Sequence, residues 1–474
     1  MKILTSMRNA LQDPHIFGSI LPGASWDVWR VILIAAMGEE LMPEERVIFK
    51  AVTGREREPV ERVDELWMIC GRRSGKTRAI AILAAYIAAL IDFTDVLAPG
   101  ERASLPIMSA SMWQAQKAMS YLIGIFTEVP ALARLVTGQT ADTISLSTRV
   151  DLECRPASFR TIRGGTFVAL IGDEVAFWRS EEYSANADRE ILNAARPSLA
   201  TTGGMMGCIT SPHARSGEAF ETHANYYGDK GDNDAGILVG QGPSKFFNPT
   251  LPDKVITRAY ARDPAKAAAE WGGEFRSDVA AFVSPEVIDS AVVRGHYEAL
   301  PLNEIDYQAF VDAAGGSGSD SFTVCIAHRG ENDVGVVDCI REYRPPFSPA
   351  SVVKEISTLL ETYRIDRVVG DRYAGSWPAE RFSECGIGYE PSERTKSQIY
   401  VDALPLFNSG KVELLDHRKC VVQLCSLERR VGRGTGRDIV DHPVGGHDDV
   451  CNAVCGALVL VANAGDSGNV WLRL

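Results

Sequence analysis

Residues 66–77 read LWMICGRRSGKT, and this stretch decides the fold of the first half of the chain. Leu66–Cys70 is an uninterrupted apolar run that reads as a strand buried on both faces. Gly71, Arg72, Arg73, Ser74 and Gly75 form a glycine-bounded turn, and Lys76 and Thr77 open an apolar helix that runs through AIAILAAYIAALI, Ala79–Ile91. In such a strand–turn–helix, successive backbone N–H groups wrap a phosphate and the helix N-terminus adds a favourable field. Lys76 reaches the β and γ phosphates of a nucleotide such as ATP, and Thr77 ligates Mg²⁺. The literal pattern GxxxxGK[ST] asks for glycine at position 70; this chain has Cys70 there, with a glycine one place later.

Working outward, the strand-like segments LPIMSA (105–110), FVALIGD (167–173) and MGCITS (206–211) alternate with helical patterns. Hairpin-like pieces lie between Thr140 and Arg163. This order predicts an α/β domain with a mostly parallel sheet. The run at 167–173 ends in Asp173, followed by Glu174. Asp173 is placed to hold the hydrated magnesium and Glu174 to polarise the attacking water, a pair that complements Lys76. Thr210 and Ser211 end the next strand and either sense the γ phosphate or cap the following helix. Arg72, Arg73, Arg160 and Arg163 are the candidates for neutralising transition-state charge. Ahead of this core, SWDVWRVILIAAMGEEL reads as a helix with Ser25 as its cap. The Gly-, Asp- and Asn-rich stretch from Tyr227 to Pro249 reads as a mobile loop.

Composition sets the frame. At 474 residues the chain fits two to three domains, and 45% hydrophobic with 23% charged residues excludes disorder and a small stapled scaffold. The apolar run Ala79–Ile91 is 13 residues long, short of the roughly 18 needed to span a bilayer. No long apolar h-region with a cleavage site follows the N-terminal MKILTSMRNALQDPHIF, which argues against secretion. The ten cysteines are scattered, with no zinc-knuckle spacing, and read as free thiols in a reducing compartment. With 49 basic against 62 acidic residues the net charge is -13, so any DNA contact must come from local patches or within a larger assembly.

Near Pro301 the pattern resets. Strands YQAFVDA, SFTVCIAH and GVVDCIREY, the helix SPASVVKEISTLLETY, the strand DRVVGD and a C-terminal helix predict a second domain that starts between about 290 and 305. Asp312 and Asp371 end strands, and Asp448 and Asp449 open the last helix. Such carboxylates converge at one edge of a mixed sheet and can bridge two divalent metals that cut a phosphodiester. Hard oxygen ligands without thiolate favour Mg²⁺ or Mn²⁺. From Arg394 to Arg437, nine basic residues face four acidic ones. RRVGRGTGR within that segment, with Arg429, Arg430, Arg433 and Arg437, reads as a basic loop for a DNA backbone.

Together these motifs resemble the large terminase subunit of tailed double-stranded DNA bacteriophages over nearly the whole chain. GRRSGKT (71–77) looks like that family's deviant phosphate loop, IGDE (171–174) like its acidic strand end, and ITSP (209–212) like its coupling motif. WGGEFRSDVAAFVS (271–284) resembles the stretch that joins its domains, and FVDAAGG, VVGD and GGHDDV its RNase H-like nuclease signatures. The resemblance implies a P-loop NTPase domain followed by an RNase H-like α/β nuclease domain. The division is then 1–60 for an N-terminal helical region, 61–250 for the ATPase core, 251–300 for a linker and 301–474 for the nuclease. Catalytic roles fall on Asp312, Asp371 and Asp448, with Asp449 auxiliary. The resemblance further implies a homo-oligomeric ring that packages double-stranded DNA in the bacterial host cytoplasm. That ring docks transiently on the portal protein of a procapsid, with a small terminase subunit as partner and no membrane. The alternatives are a helicase- or repair-type ATPase–nuclease fusion, for which a second motor core is missing, and a non-enzymatic capsid-docking prophage remnant. Retention of Lys76, Glu174 and the three aspartates argues against the latter.

Overall fold

The structure is a computed structural model; it describes residues 1–158, 162, 164–178, 187–229, 236–276, 278–371, 377–431, 438–443 and 446–464. Two α/β units divide the chain at Asp278. The first is organised by an eight-stranded sheet. Its strands are β1 (Glu65–Cys70), β2 (Ala103–Ser109), β3 (Val136–Gln139), β4 (Thr143–Leu146), β5 (Val150–Pro156), β6 (Ala169–Asp173), β7 (Met205–Thr210) and β8 (Ile237–Gly242). They lie in the order β8-β1-β7-β6-β2-β5-β4-β3. Pairing is parallel from β8 to β5 and antiparallel through β4 and β3; β4 and β5 are the hairpin pieces expected beyond Thr140, and β3 lies just ahead of that stretch.

Period-two alternation explains why both faces of this sheet are covered. Leu66, Met68 and Cys70 point into one core with α1 (Asp27–Ala36), α2 (Lys76–Leu90) and α3 (Met112–Glu128). Trp67 and Ile69 point into the other with Ile191, Leu192 and Ala195 of α4 (Ala187–Ala200). Two local expectations are corrected. Ser25 does not cap α1: the chain leaves Gly23 at φ +78° and enters through a 3₁₀ turn, Ala24–Trp26, whose last residue flanks α1 without a side-chain cap. The stretch 227–249 is not a loop throughout. Ile237–Gly242 is an edge strand in register with Glu65–Cys70, its apolar Leu238 and Val239 masked in sequence by polar flanks.

The second unit is built on a seven-stranded sheet. It is preceded in the chain by β9 (Val279–Ala281) and contains β10 (Val292–Val293), β11 (Tyr307–Asp312), β12 (Phe322–Arg329), β13 (Gly335–Tyr343), β14 (Arg367–Gly370), β15 (Gly388–Pro391) and β16 (Val412–Leu415). Their order is β10-β16-β13-β12-β11-β14-β15. β11, β12 and β13 form an antiparallel meander, and β14 and β15 add in parallel beside β11. Alternate residues again serve two cores. Ala309 and Val311 meet Val352, Val353 and Ile356 of α5 (Pro349–Thr362), and Phe310 meets Val450, Val454 and Ala457 of α8 (Asp449–Ala464). Gly456 permits that last approach, since a Cβ there would lie 2.3 Å from the Phe310 ring.

This unit starts ahead of the expected boundary. β9 pairs with β17 (Glu428–Val431), which pairs with β18 (Asp438–Asp441), and β10 pairs with β16, so residues 279–293 are woven into the second unit. The helices Asp253–Arg262 and Pro264–Glu270 of the expected linker belong to the first unit, where the Glu270 carbonyl accepts the Arg72 N–H at 2.5 Å. No helix among the described residues is long and apolar enough to cross a membrane.

Candidate functional sites

In the first unit a cavity of about 650 Å³ opens where β1, β6 and β7 end. β1 stops at Cys70, and a Cβ on Gly71 would lie 2.2 Å from Ser244 Oγ and 2.8 Å from the Trp271 carbonyl, so only glycine fits this approach. Arg73 and Gly75 take φ values of +63° and +88°. Two neighbours hold the turn from outside: Trp29 Nε1 donates to the Ser74 carbonyl at 2.7 Å and Asn248 Nδ2 to that of Arg73 at 3.0 Å. α2 then begins at Lys76.

Lys76, Thr77, Asp173, Glu174 and Ser211 line the cavity, as do Arg72 and Arg73. Lys76 is only 6% exposed. Its Nζ lies 2.9 Å from Glu174 Oε1 and donates to Ser211 Oγ at 2.6 Å, while the Ser211 N–H donates to Glu174 Oε2 at 2.8 Å. Glu174 sits in the left-handed region at φ +53°, a strained setting for a residue with a Cβ. Asp173 is buried with Oδ1 unpartnered, and burial, reinforced by Glu174 and opposed by Lys76, pushes its carboxyl up to about 7. Ser74 Oγ is likewise buried without a partner. An orphaned carboxylate oxygen and an orphaned hydroxyl beside a lysine are a fit for a metal–phosphate ligand.

Thr210 is a tie rather than a lining residue. Its Oγ1 accepts from the Ala176 N–H at 3.2 Å and donates to the Ser211 carbonyl at 2.9 Å, which links the end of β7 to the acidic turn. Arg72 is paired with Glu270 at 3.3 Å. Arg160 and Arg163 lie outside the described residues. Sequence reading missed the wall formed by α3, where Trp113, Lys117 and Tyr121 line the cavity and Lys117 Nζ sits 3.5 Å above the Trp113 ring. Their i, i+4, i+8 spacing, which puts two aromatics and a lysine on one face of the helix, is the signal that could have found them.

In the second unit, Asp312, Asp371, Asp448 and Asp449 line one cavity of about 430 Å³ with Asp320, Lys396, His442 and His447. β11 and β14 are parallel neighbours with Val311 opposite Gly370, so Asp312 and Asp371 leave the sheet side by side. The packing of α8 over β11 brings in Asp448 and Asp449, and Asn452 Nδ2 donates to Asp312 Oδ2 at 2.8 Å. Burial pushes the Asp312 carboxyl up to about 8; the Asn452 hydrogen bond opposes this, while Asp449, Asp448 and Asp371 add to it. Five carboxylates, of which Asp448 and Asp449 are buried, form a site that a divalent cation relieves.

Asp448 Oδ2 accepts from Tyr400 Oη at 2.8 Å and lies 3.0 Å from Lys396 Nζ. Lys396 also reaches Asp441 at 3.2 Å. Asp449 faces differently: its Oδ2 accepts the Ser321 N–H at 3.1 Å. The tightest potential ligand group among the described residues is Asp441, His442 and Asp448, whose donor atoms lie within 4.8 Å of one another. His442 Nδ1 is 2.9 Å from the Pro443 carbonyl, which selects the tautomer with Nδ1–H and leaves the Nε2 lone pair toward the carboxylates, 3.9 Å from Asp441 and from Asp448. Asp441, His442 and Lys396 carry no motif in the sequence.

The basic segment is partly neutralised. Arg429 pairs with Asp438 through Nε at 2.7 Å, and Arg430 pairs with Glu428 at 2.6 Å. Arg433 and Arg437 lie outside the described residues.

No family profile matches the chain, and no curated protein matches it. Solved structures do match. The crystal structure of the HK97 bacteriophage large terminase is similar over 93% of this chain and 100% of its own, at 14% identity and a TM-score of 0.41. The large terminase of a thermophilic bacteriophage in complex with ADP covers 84% of this chain and 93% of its own, at 14% identity and TM-score 0.37. The large terminase nuclease of thermophilic phage G20c with bound magnesium covers 36% of this chain and 94% of its own, at 18% identity and TM-score 0.32.

Proposed function

We propose that this chain is the large subunit of a viral DNA-packaging terminase: a P-loop ATPase that drives double-stranded DNA into a procapsid, joined to an RNase H-like endonuclease that cuts concatemeric DNA. One observation carries the reading. Two sets of residues scattered along the sequence, Lys76 with Asp173, Glu174 and Ser211, and Asp312 with Asp371, Asp448 and Asp449, each gather at one cavity, in separate units of one chain.

In the first cavity the turn 71–77 cradles the phosphates of ATP, and Thr77 and Asp173 hold its Mg²⁺. Lys76 exchanges Glu174 and Ser211 for phosphate oxygens. Glu174, released from the lysine, polarises the attacking water, and the Ser211 N–H that binds Glu174 carries the change to β7. Thr210 ties that movement to the acidic turn, which suits a coupling element.

In the second cavity Asp312, Asp371 and Asp448 hold two Mg²⁺ or Mn²⁺ ions, with Asp449 auxiliary. Such ions supply an activated water and charge stabilisation for the leaving oxygen. Tyr400 and Asn452 fix the carboxylates that bind them, and Lys396 balances the charge of Asp448 until they do. The imidazole of His442 beside Asp441 and Asp448 favours Mn²⁺ over Mg²⁺ at that position. Arg429 and Arg430 of β17 contact DNA phosphate by exchanging Asp438 and Glu428 for it, and Arg433 and Arg437 of the same basic stretch of sequence add further phosphate contacts. The assembled partners are a ring of copies of this chain, a portal protein, a small terminase subunit and the DNA, at a procapsid in the host cytoplasm.

Phosphate release from ATP and plasmid cleavage, measured on one preparation of the full chain, test this reading. ATP hydrolysis that survives Asp312→Asn and cleavage that survives Glu174→Gln are expected. A chain that neither hydrolyses ATP nor cuts plasmid with Mg²⁺ or Mn²⁺ overturns it. ATP-dependent protection of duplex DNA from DNase in the presence of procapsids tests the motor itself.

A further inference from the structure

A second cavity in the second unit, of about 650 Å³, adjoins the carboxylate cavity and shares Gly318, His447 and Asp449 with it. Its chemistry is opposite. Arg344, Arg418 and Lys419 line it, with His417. We infer that this basic cavity is a phosphodiester subsite, holding the strand phosphate next to the one being cut, with Arg344 and Arg418 as its direct contacts. The inference rests on the nuclease reading and adds to it a place and a direction for the DNA strand.

The cations are placed by ordered elements of the fold. Arg344 directly follows β13, and Arg418 and Lys419 occupy the first turn of α7 (Arg418–Ser426). A helix N-terminus favours a negative ligand, so an anion held by these side chains also gains from the helix end. Glu342 supplies part of that offset and orients the group. Its carboxylate is nearly buried, accepts from Ser321 Oγ at 2.6 Å, pairs with Lys419, and lies 3.2 Å from Arg344 Nε. Three cations against the two carboxylates of Glu342 and the shared Asp449 leave the group with a net positive charge.

Ser321 fixes the relation between the two cavities: its hydroxyl binds Glu342 and its N–H binds Asp449. His417 adds a neutral donor. Burial lowers its basicity, and Nδ1 accepts the Cys420 N–H at 3.2 Å, which leaves the ring proton on Nε2. Guanidinium forks match phosphate oxygens in pairs, whereas the lining offers little to an apolar or cationic ligand. A strand with one phosphate among the metal-binding aspartates and its neighbour on Arg344 and Arg418 satisfies both cavities together.

The test is cleavage of a linear duplex by the full chain at saturating Mn²⁺, comparing Arg344→Gln/Arg418→Gln with wild type. Both arginines are exposed, so the pair is expected to fold. KM for DNA should rise about tenfold or more with kcat within about threefold, and the log–log salt slope of binding should fall by about 1.8, two contacts at roughly 0.9 each. The half-saturating Mn²⁺ concentration should not move. Lys354→Gln/Arg367→Gln removes the same charge elsewhere on this unit and should leave KM within about twofold. KM and slope equal to that control, with cleavage still lost in Asp312→Asn, overturn the subsite alone. Absence of metal-dependent cleavage in wild type, or its survival in Asp312→Asn, overturns the nuclease reading and the subsite with it.

Discussion

The two cavities differ in how their charge is balanced. In the first unit opposite charges already meet: Lys76 is clasped by Glu174 and Ser211, and Asp173 Oδ1 and Ser74 Oγ are left wanting a partner. In the second unit like charges crowd, and among the described residues Lys396 is the one lysine lining the cavity beside Asp312, Asp371, Asp448 and Asp449. The first is poised for a ligand that swaps partners, since a phosphate takes the lysine and frees the glutamate. The second is poised for a ligand that adds charge. A divalent cation relieves it, and every carboxylate removed takes away part of the attraction for that cation. Both sites are assembled over similar spans of chain, 135 positions from Lys76 to Ser211 and 137 from Asp312 to Asp449. The first comes from adjacent parallel strand ends, the second from two strand ends and the start of a helix.

The largest expected effect tests the second cavity. Asp312→Asn keeps the size and one hydrogen-bond acceptor for Asn452 but removes a charge, so metal-dependent plasmid cleavage should fall by roughly 10³-fold or more while circular dichroism is unchanged. Cleavage within tenfold of wild type would break the comparison, because the carboxylates would then be a buried cluster without metal. The next effect tests the first cavity. Glu174→Gln should lower ATP turnover by roughly 10²- to 10³-fold and preserve nucleotide binding, whereas Lys76→Ala should weaken binding itself. Wild-type turnover in both would show that the Lys76–Glu174 pair is only structural.

These expectations rest on features of unequal legibility. The strand–turn–helix at 66–77 and the acidic end of β6 are local: apolar runs, glycines and charges lie side by side in the chain, and periodicity reveals them. Asp312, Asp371 and Asp448 were legible as strand and helix ends. Their neighbours were not, because Lys396, Tyr400, Asp441 and His442 gain meaning only when α6 (Lys396–Asn408) and β18 are folded beside α8. The same reason hid the start of the second unit. Val279–Ala281 is three residues whose partner, Glu428–Arg430, lies almost 150 positions later, and no local signal reports such a pairing. At 237–242 the signal existed, in Ile237, Leu238 and Val239, but it was outweighed by the polar run before it.

A third expectation separates the sites by pH. Asp312, held up to about 8 by burial and its acidic neighbours, is protonated below that pH and must lose its proton to bind a cation. Apparent Mn²⁺ affinity should therefore rise with pH, by up to about tenfold per unit between 6 and 8, and level off above. Calorimetry in buffers of different ionisation enthalpy should show a proton released on binding at pH 6.5, and Asp312→Asn should abolish that release. Affinity independent of pH over this range would mean that the carboxylate is already ionised, and that Lys396 rather than the metal balances the cluster.

The smallest expected effect concerns position 70, where the literal phosphate-loop pattern asks for glycine and the chain has cysteine. Cys70 is fully buried at the end of β1, opposite Gly242 of β8, and its side chain packs in the core beneath α2. The close approach that demands a missing Cβ occurs one residue later, where Gly71 meets Ser244 and Trp271. Glycine is thus needed at 71, and the turn that follows has left-handed positions at Arg73 and Gly75. Cys70→Gly, although it restores the pattern, removes a packed side chain and loosens a strand end, which should cost about 1–2 kcal/mol. ATP turnover should stay within about twofold, because the backbone amides and Lys76 that meet the phosphates are unchanged. A turnover gain of tenfold in Cys70→Gly would show that the cysteine strains the loop and that the displaced glycine is a compromise. A loss of similar size with stability preserved would assign the thiol a part in the site.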